Sequence, residues 1–128
     1  MTALLDTHAI LWCVAAPASL GKKARAFISR AGEGDLAISD ISLLEIAMLL
    51  KKGRVRIAGS AEGFLRELSS KFRVLPVDAE IAGDAVELVL TQGDPFDRVI
   101  VACARAHRLA LLTKDAAIAR SGLVPVIW

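Results

Sequence analysis

The sequence predicts an α/β fold, a mostly parallel sheet with helices on both faces. Three observations carry that. Five short apolar runs recur along the chain, at residues 3–5, 36–38, 72–75, 109–112 and 124–127. Stretches with apolar residues at helical spacing separate them, such as Ile46, Leu49 and Leu50, or Val99, Ile100, Cys103 and Ala106. Glycine, proline and small polar residues punctuate the joints. Short apolar strands alternating with helices are the pattern of a parallel sheet buried on both sides.

Residues 3–5 read as a buried strand ending at Asp6. Thr7 is placed to cap a short helix over 9–15, stopped near Pro17. Ser19 is placed to cap a second helix over 20–31, ended by Gly32 and Gly34. After the strand at 36–38, Ser39 or Asp40 caps a helix over 41–52 that Gly53 ends. A helix over 60–70 leads to the strand at 72–75 and Pro76. Asp78 caps a helix from 79 to about 92, with Gly93 at its end. The next helix opens on Asp94-Pro95-Phe96-Asp97, where Pro95 sits at a start position that needs no N–H donor, and runs to about 107. Asp115 opens a short helix to about Ser121. With no linker, repeat or low-complexity segment, residues 1–128 read as one domain.

The composition is 55% hydrophobic and 23% charged, with mean hydropathy +0.52. That excludes disorder and suggests an apolar surface buried against a partner. No apolar run approaches the ~18 residues of a spanning helix. The first residues lack the basic segment of a signal peptide, so a cytoplasmic protein is expected. Cys13 and Cys103 fit no metal spacing and read as buried free thiols; with two Cys and two His, a zinc site is not expected.

Acidic residues fall at the strand ends. Asp6 ends the first strand, and Asp115 follows the fourth after two intervening residues. Asp94 and Asp97 begin a helix, and Glu45 lies one turn into the helix after the second strand. In an open parallel sheet the ligand site lies off those ends. Packed carboxylates repel unless a cation joins them, and an oxygen-only set selects a hard ion such as Mg²⁺ or Mn²⁺. Such an ion can activate water and neutralise charge in phosphodiester cleavage. If these five acids cluster, the remaining nine stand against 16 basic residues, a +7 exterior suited to a polyanion. Each acid also has a structural alternative. Asp97 three residues after Asp94 resembles a capping box, Asp115 can cap the last helix, and Ser42 can form a capping box with Glu45. Asp6 is the hardest to explain structurally.

Four segments together resemble the PIN-domain family, most closely the VapC-type toxins of toxin–antitoxin pairs. They are LLDTHAILW at 4–12, SLLEIA at 42–47, DPFDRVIVACA at 94–104 and LLTKD at 111–115. Each is weak alone; in this order they span nearly the whole chain. The resemblance implies a three-layer α/β/α sandwich around a five-stranded parallel sheet, and a homodimer. It implies Mg²⁺- or Mn²⁺-dependent cleavage of RNA by water, leaving 5′-phosphate and 3′-hydroxyl ends. The family's four acids carry over to Asp6, Glu45, Asp97 and Asp115 as metal ligands and catalytic residues. Thr113 matches a hydroxyl position beside the fourth acid, where it would bind a metal-bound water. An antitoxin is implied whose C-terminal tail covers the site, often inserting a basic side chain among the acids.

Other residues have two readings each. Asp94 is a helix cap with at most a supporting role. Arg98 either steadies a phosphate or pairs with Asp94, the ion pair being favoured. Lys114 either touches RNA or is a surface lysine. The run Lys51-Lys52-Gly53-Arg54-Val55-Arg56 either lines an RNA path or is a solvated helix end. His8 is favoured for packing over general-base work, and Trp12 for core or dimer contact over base stacking. The competing functions are a PIN-like module that binds RNA or protein without catalysis, a receiver-type phosphoryl-transfer domain, and a DNA nuclease of similar fold. The full set of four acids argues against the first, the missing phosphate loop and acid pattern against the second, and the short chain against the third.

Overall fold

The computed structural model describes residues 1–90 and 94–128. Five strands make one parallel sheet: β1 (Ala3–Leu5), β2 (Leu36–Ser39), β3 (Arg73–Leu75), β4 (Ala110–Leu112) and β5 (Val126–Ile127), in the order β3-β2-β1-β4-β5. The helices are α1 (Thr7–Ala15), α2 (Lys22–Arg30), α3 (Asp40–Lys51), α4 (Ala61–Lys71), α5 (Ala79–Glu87), α6 (Pro95–Ala106) and α7 (Ala116–Ser121). Neighbouring strand residues face opposite ways, and the core divides accordingly. Leu4, Ala37 and Leu111 pack on one face with Ile81 of α5, Ile100 of α6 and Ile118 of α7. Ala3, Leu5, Ile38 and Leu112 pack on the other with Ile10 of α1, Ala24 of α2, Ile46 of α3 and Leu68 of α4. Each wholly buried Leu or Ile contributes about 1.5–3 kcal/mol. The result is the expected three-layer α/β/α sandwich, with every strand pair parallel.

Several boundaries differ from the sequence expectation. α1 starts at Thr7 because Asp6 takes the cap: its carboxylate accepts the Ala9 N–H at 2.8 Å. Ser19 lies in a 3₁₀ turn, Pro17–Ser19, so α2 begins at Lys22 after Gly21. Ser39, not Asp40, caps α3. Phe72 is buried and terminates α4, so β3 starts one residue later. β5 begins at Val126 rather than 124. α5 stops at Glu87, with Leu88 extended at φ −63° and ψ 135°; Gln92 and Gly93, where the sequence put its end, lie outside the described residues. On α6 the expected stripe was too narrow. Val101, Ala102 and Ala104 are also buried while Ala106 is exposed, because α6 is flanked by α5 and α3 as well as the sheet.

Both thiols are free; Cys103 is buried as expected, but Cys13 is only half-buried. No helix among the described residues is long and apolar enough to cross a membrane. One close approach constrains the sequence. A Cβ on Gly21 would lie 2.6 Å from the Trp128 carbonyl carbon and from its indole ring. Gly21→Ala is therefore expected to lower stability by about 1–3 kcal/mol, as read from urea unfolding; parental stability would show that Trp128 is not held against this turn.

Candidate active site

The chain order reverses at β1, with β2 and β3 on one side and β4 and β5 on the other, and a parallel sheet opens a crevice at such a point. Leu5 is in register with both Ile38 and Leu112. Asp6, Ser39 and Thr113 therefore leave the sheet level with one another, and the Asp6 N–H donates to the Leu112 carbonyl at 3.1 Å. Above this edge lies a cavity of about 530 Å³. Asp6, Glu45, Asp94, Asp97 and Asp115 line it together with Thr7, and His8, Trp12 and Lys114 complete its wall.

Helix starts set most of these acids. Asp6 caps α1, Asp94 caps α6 through the Phe96 N–H at 2.9 Å, and Asp115 caps α7 through Ala117 and Ile118 at 2.8 and 3.1 Å. The positive ends of the α1 and α6 dipoles thus face the cluster and offset part of its charge. Asp97 is not the second half of a capping box: among the described residues it makes no capping bond, and Asp94 caps alone. Glu45 caps nothing either. Ser42 is fully buried three residues inside α3, and its hydroxyl lies 3.1 Å from that of Thr7. Thr7 donates to the Glu45 carboxylate at 2.5 Å, which ties α1 to α3 across the cavity floor. On the other side the Thr113 hydroxyl donates to the second oxygen of Asp6 and accepts the Asp115 N–H at 3.1 Å.

The electrostatics follow from this crowding. Asp97 is pushed up to about 7, first by desolvation and then by the charges of Asp94, Asp115, Glu45 and Asp6. Desolvation also raises Glu45, and the Thr7 hydrogen bond opposes it. Asp6 is raised by desolvation against the pull of Thr113 and the Ala9 N–H. As the side chains stand, no three acids among the described residues are grouped tightly enough to hold one ion. The donor set is nonetheless oxygen-only and mutually repelling, the chemistry that a hard divalent cation fits.

The remaining candidates divide. Arg98 is turned from the cavity: its guanidinium donates to the carbonyls of Leu88 and, at 3.3 Å, of Leu90. Its hydrogen bonds therefore go to backbone carbonyls just past α5, and no Arg98–Asp94 ion pair forms among the described residues. The basic run of 51–56 follows the far end of α3. At 1.5 Å per residue, a helix of 12 residues carries it about 18 Å from the site edge. Lys114, His8 and Trp12 all reach the cavity. The sequence read Thr7 and Ser42 only as capping residues; it missed that Thr7 reaches Glu45 and the Ser42 hydroxyl across the fold.

Fold and site define a class, the open parallel α/β domain with an acid-lined crevice at its switch point. The family model of the PIN domain matches residues 3–122. Ribonuclease VapC22 of Mycobacterium tuberculosis is 36% identical over 115 residues, covering 89% of this chain and 87% of that one. The chain belongs to the PIN-domain family. Among solved structures, a toxin–antitoxin complex from Klebsiella pneumoniae matches with TM-score 0.64 and 25% identity, over 96% of this chain and 95% of that one. VapBC2 from Rickettsia felis, solved bound to a promoter DNA fragment, matches with TM-score 0.71 and 18% identity, over 98% and 97%; that likeness concerns the fold.

Proposed function

We propose that this chain is a metal-dependent endoribonuclease, the toxin of a toxin–antitoxin pair. The observation that carries this is the convergence of acids from four distant segments on one cavity, with Asp97 pushed up to about 7 by burial and then by its acidic neighbours. The name of the Mycobacterium tuberculosis relative supports RNA as substrate, and the Klebsiella pneumoniae complex supports an antitoxin partner. Asp6, Glu45, Asp97 and Asp115 would hold Mg²⁺ or Mn²⁺, which when bound supplies an activated water and neutralises charge on the phosphate. Thr113 fixes Asp6 and is itself set by the Asp115 backbone; Thr7 fixes Glu45. Asp97 must lose its proton to serve as a ligand. Asp94 takes no ligand role but keeps Asp97 poised through its charge.

An antitoxin or a second copy of the chain would bury exposed apolar side chains. Leu44 and Met48 share a face of α3, and Val86 and Val89 lie at the end of α5 and just beyond it. Purified protein is expected to cut single-stranded RNA with added Mg²⁺ or Mn²⁺, to leave 5′-phosphate ends, and to stop with EDTA. RNA cut no faster than by Asp97→Asn protein would overturn the proposal.

A further inference from the structure

The cavity has a chemically mixed lining. Beside the acids, His8, Trp12 and Lys114 also line it. Trp12 is half-buried, so its indole is both packed into the core and presented to the cavity. The sequence favoured core or dimer contact for it, which is half of what it does. Two other rings tilt against it: the His8 and Trp128 centroids each lie 5.7 Å away, at 45° and 55°. Trp128 is seated in turn against Gly21, where no Cβ would fit, and its carbonyl accepts the Lys23 N–H at 3.2 Å. The Trp12 indole is thus braced from the core side. Over it, 5.9 Å from the ring centroid, sits the Lys114 ammonium.

We propose that Trp12 and Lys114 form a nucleotide subsite of the cavity, the indole stacking on a base of single-stranded RNA and the ammonium pairing with a backbone phosphate. This deepens the nuclease function proposed above and rests on it. An unpaired base has a flat apolar face and carries a phosphate next to it; an indole beside a lysine matches both at that spacing. A solvated cation over an indole is held weakly, so the ammonium can swing to a phosphate and leave the ring face to a base. Lys114 immediately precedes Asp115, one of the acids of the cavity. A nucleotide on the indole therefore places a neighbouring phosphodiester at the carboxylates. A duplex would not fit this arrangement, because its bases are stacked on one another and unavailable to the ring.

Trp12→Leu is expected to raise KM for a short single-stranded RNA about 5- to 100-fold, the range of one lost base–aromatic stack, with kcat within about threefold of the parent. Trp12→Phe should recover most of the loss. Lys114→Ala should weaken binding and flatten its salt dependence. A measurement on the unaltered protein guards against a Leu variant that fails to fold. In calcium, a short RNA should quench tryptophan emission, whereas an abasic sugar-phosphate of equal length should bind at least about fivefold more weakly and quench little. Equal binding of the abasic strand, or a parental KM in Trp12→Leu, overturns the subsite and leaves the nuclease standing. Base-dependent quenching without any RNA cleavage supports the subsite and removes the nuclease.

Discussion

Asp97→Asn is expected to lower RNA cleavage by more than about 100-fold, since loss of groups that merely support metal ligands already costs 10–100-fold, while the fold survives. Asp97 is the acid best suited to this test because, among the described residues, it makes no capping bond: the Asp94 side chain caps the α6 start. Removing its charge breaks no helix end and relieves repulsion from Asp94, Asp115, Glu45 and Asp6. Asp6→Asn should be equally inactive but less stable. Both oxygens of Asp6 accept hydrogen bonds, one from the Ala9 N–H and one from Thr113, and an amide offers only one acceptor. Cleavage rates at saturating metal, paired with urea midpoints, separate the two effects. Parental cleavage by folded Asp97→Asn protein would end the proposed role of this acid. Loss of activity in step with loss of structure would reduce it to a packing residue.

How much of this was legible in the sequence depended on whether the signal was local. Short apolar runs such as residues 3–5 and 109–112, too short for a helix and bounded by turn residues, read as buried strands, and β1 and β4 fall within a residue of them. Boundaries failed where a side chain was claimed by a distant partner. Thr7 looks like a cap, but its hydroxyl is taken by Glu45, 38 residues away, and Asp6 caps in its place. Arg98 looks like a partner for Asp94, four residues away on one helix, but it reaches back to the Leu88 and Leu90 carbonyls. The acids were legible because strand ends in a parallel sheet share an edge, so their positions in the chain imply a common place. The link from Thr7 to Glu45 was not, because a hydroxyl 38 residues from the carboxylate it serves has no local signature. Three of the five acids also serve as helix caps, so capping and a role at the cavity are compatible for Asp6, Asp94 and Asp115. Choosing between them from sequence alone posed a false alternative.

The same crowding sets an unusual dependence of stability on pH. Without metal, the chain is expected to be less stable at pH 8 than at pH 5.5. A carboxyl raised from 3.8 to about 7 binds its proton more tightly in the folded state than in the unfolded one. Its contribution is therefore fully present below about pH 4 and is lost as pH climbs through about 7. Asp6 and Glu45 are displaced in the same direction, so they add to the effect rather than cancel it. Asp97 is partly open to water, and solvent screening reduces its share to on the order of 1–2 kcal/mol, or about 5 °C in Tm for a domain of this size. Asp97→Asn should flatten the profile between pH 5.5 and 8 and exceed the parent in stability at the upper end. Mg²⁺ or Mn²⁺ should raise the parental Tm more at pH 8, where the cation meets an ionised Asp97, than at pH 5.5, where it must displace a proton. Melting curves of the EDTA-treated protein at both pH values, with and without cation, test all three statements. A metal-free parent that gains stability between pH 5.5 and 8 would mean that these carboxyls are strained neither by burial nor by one another, and would remove the physical ground for a cation among them.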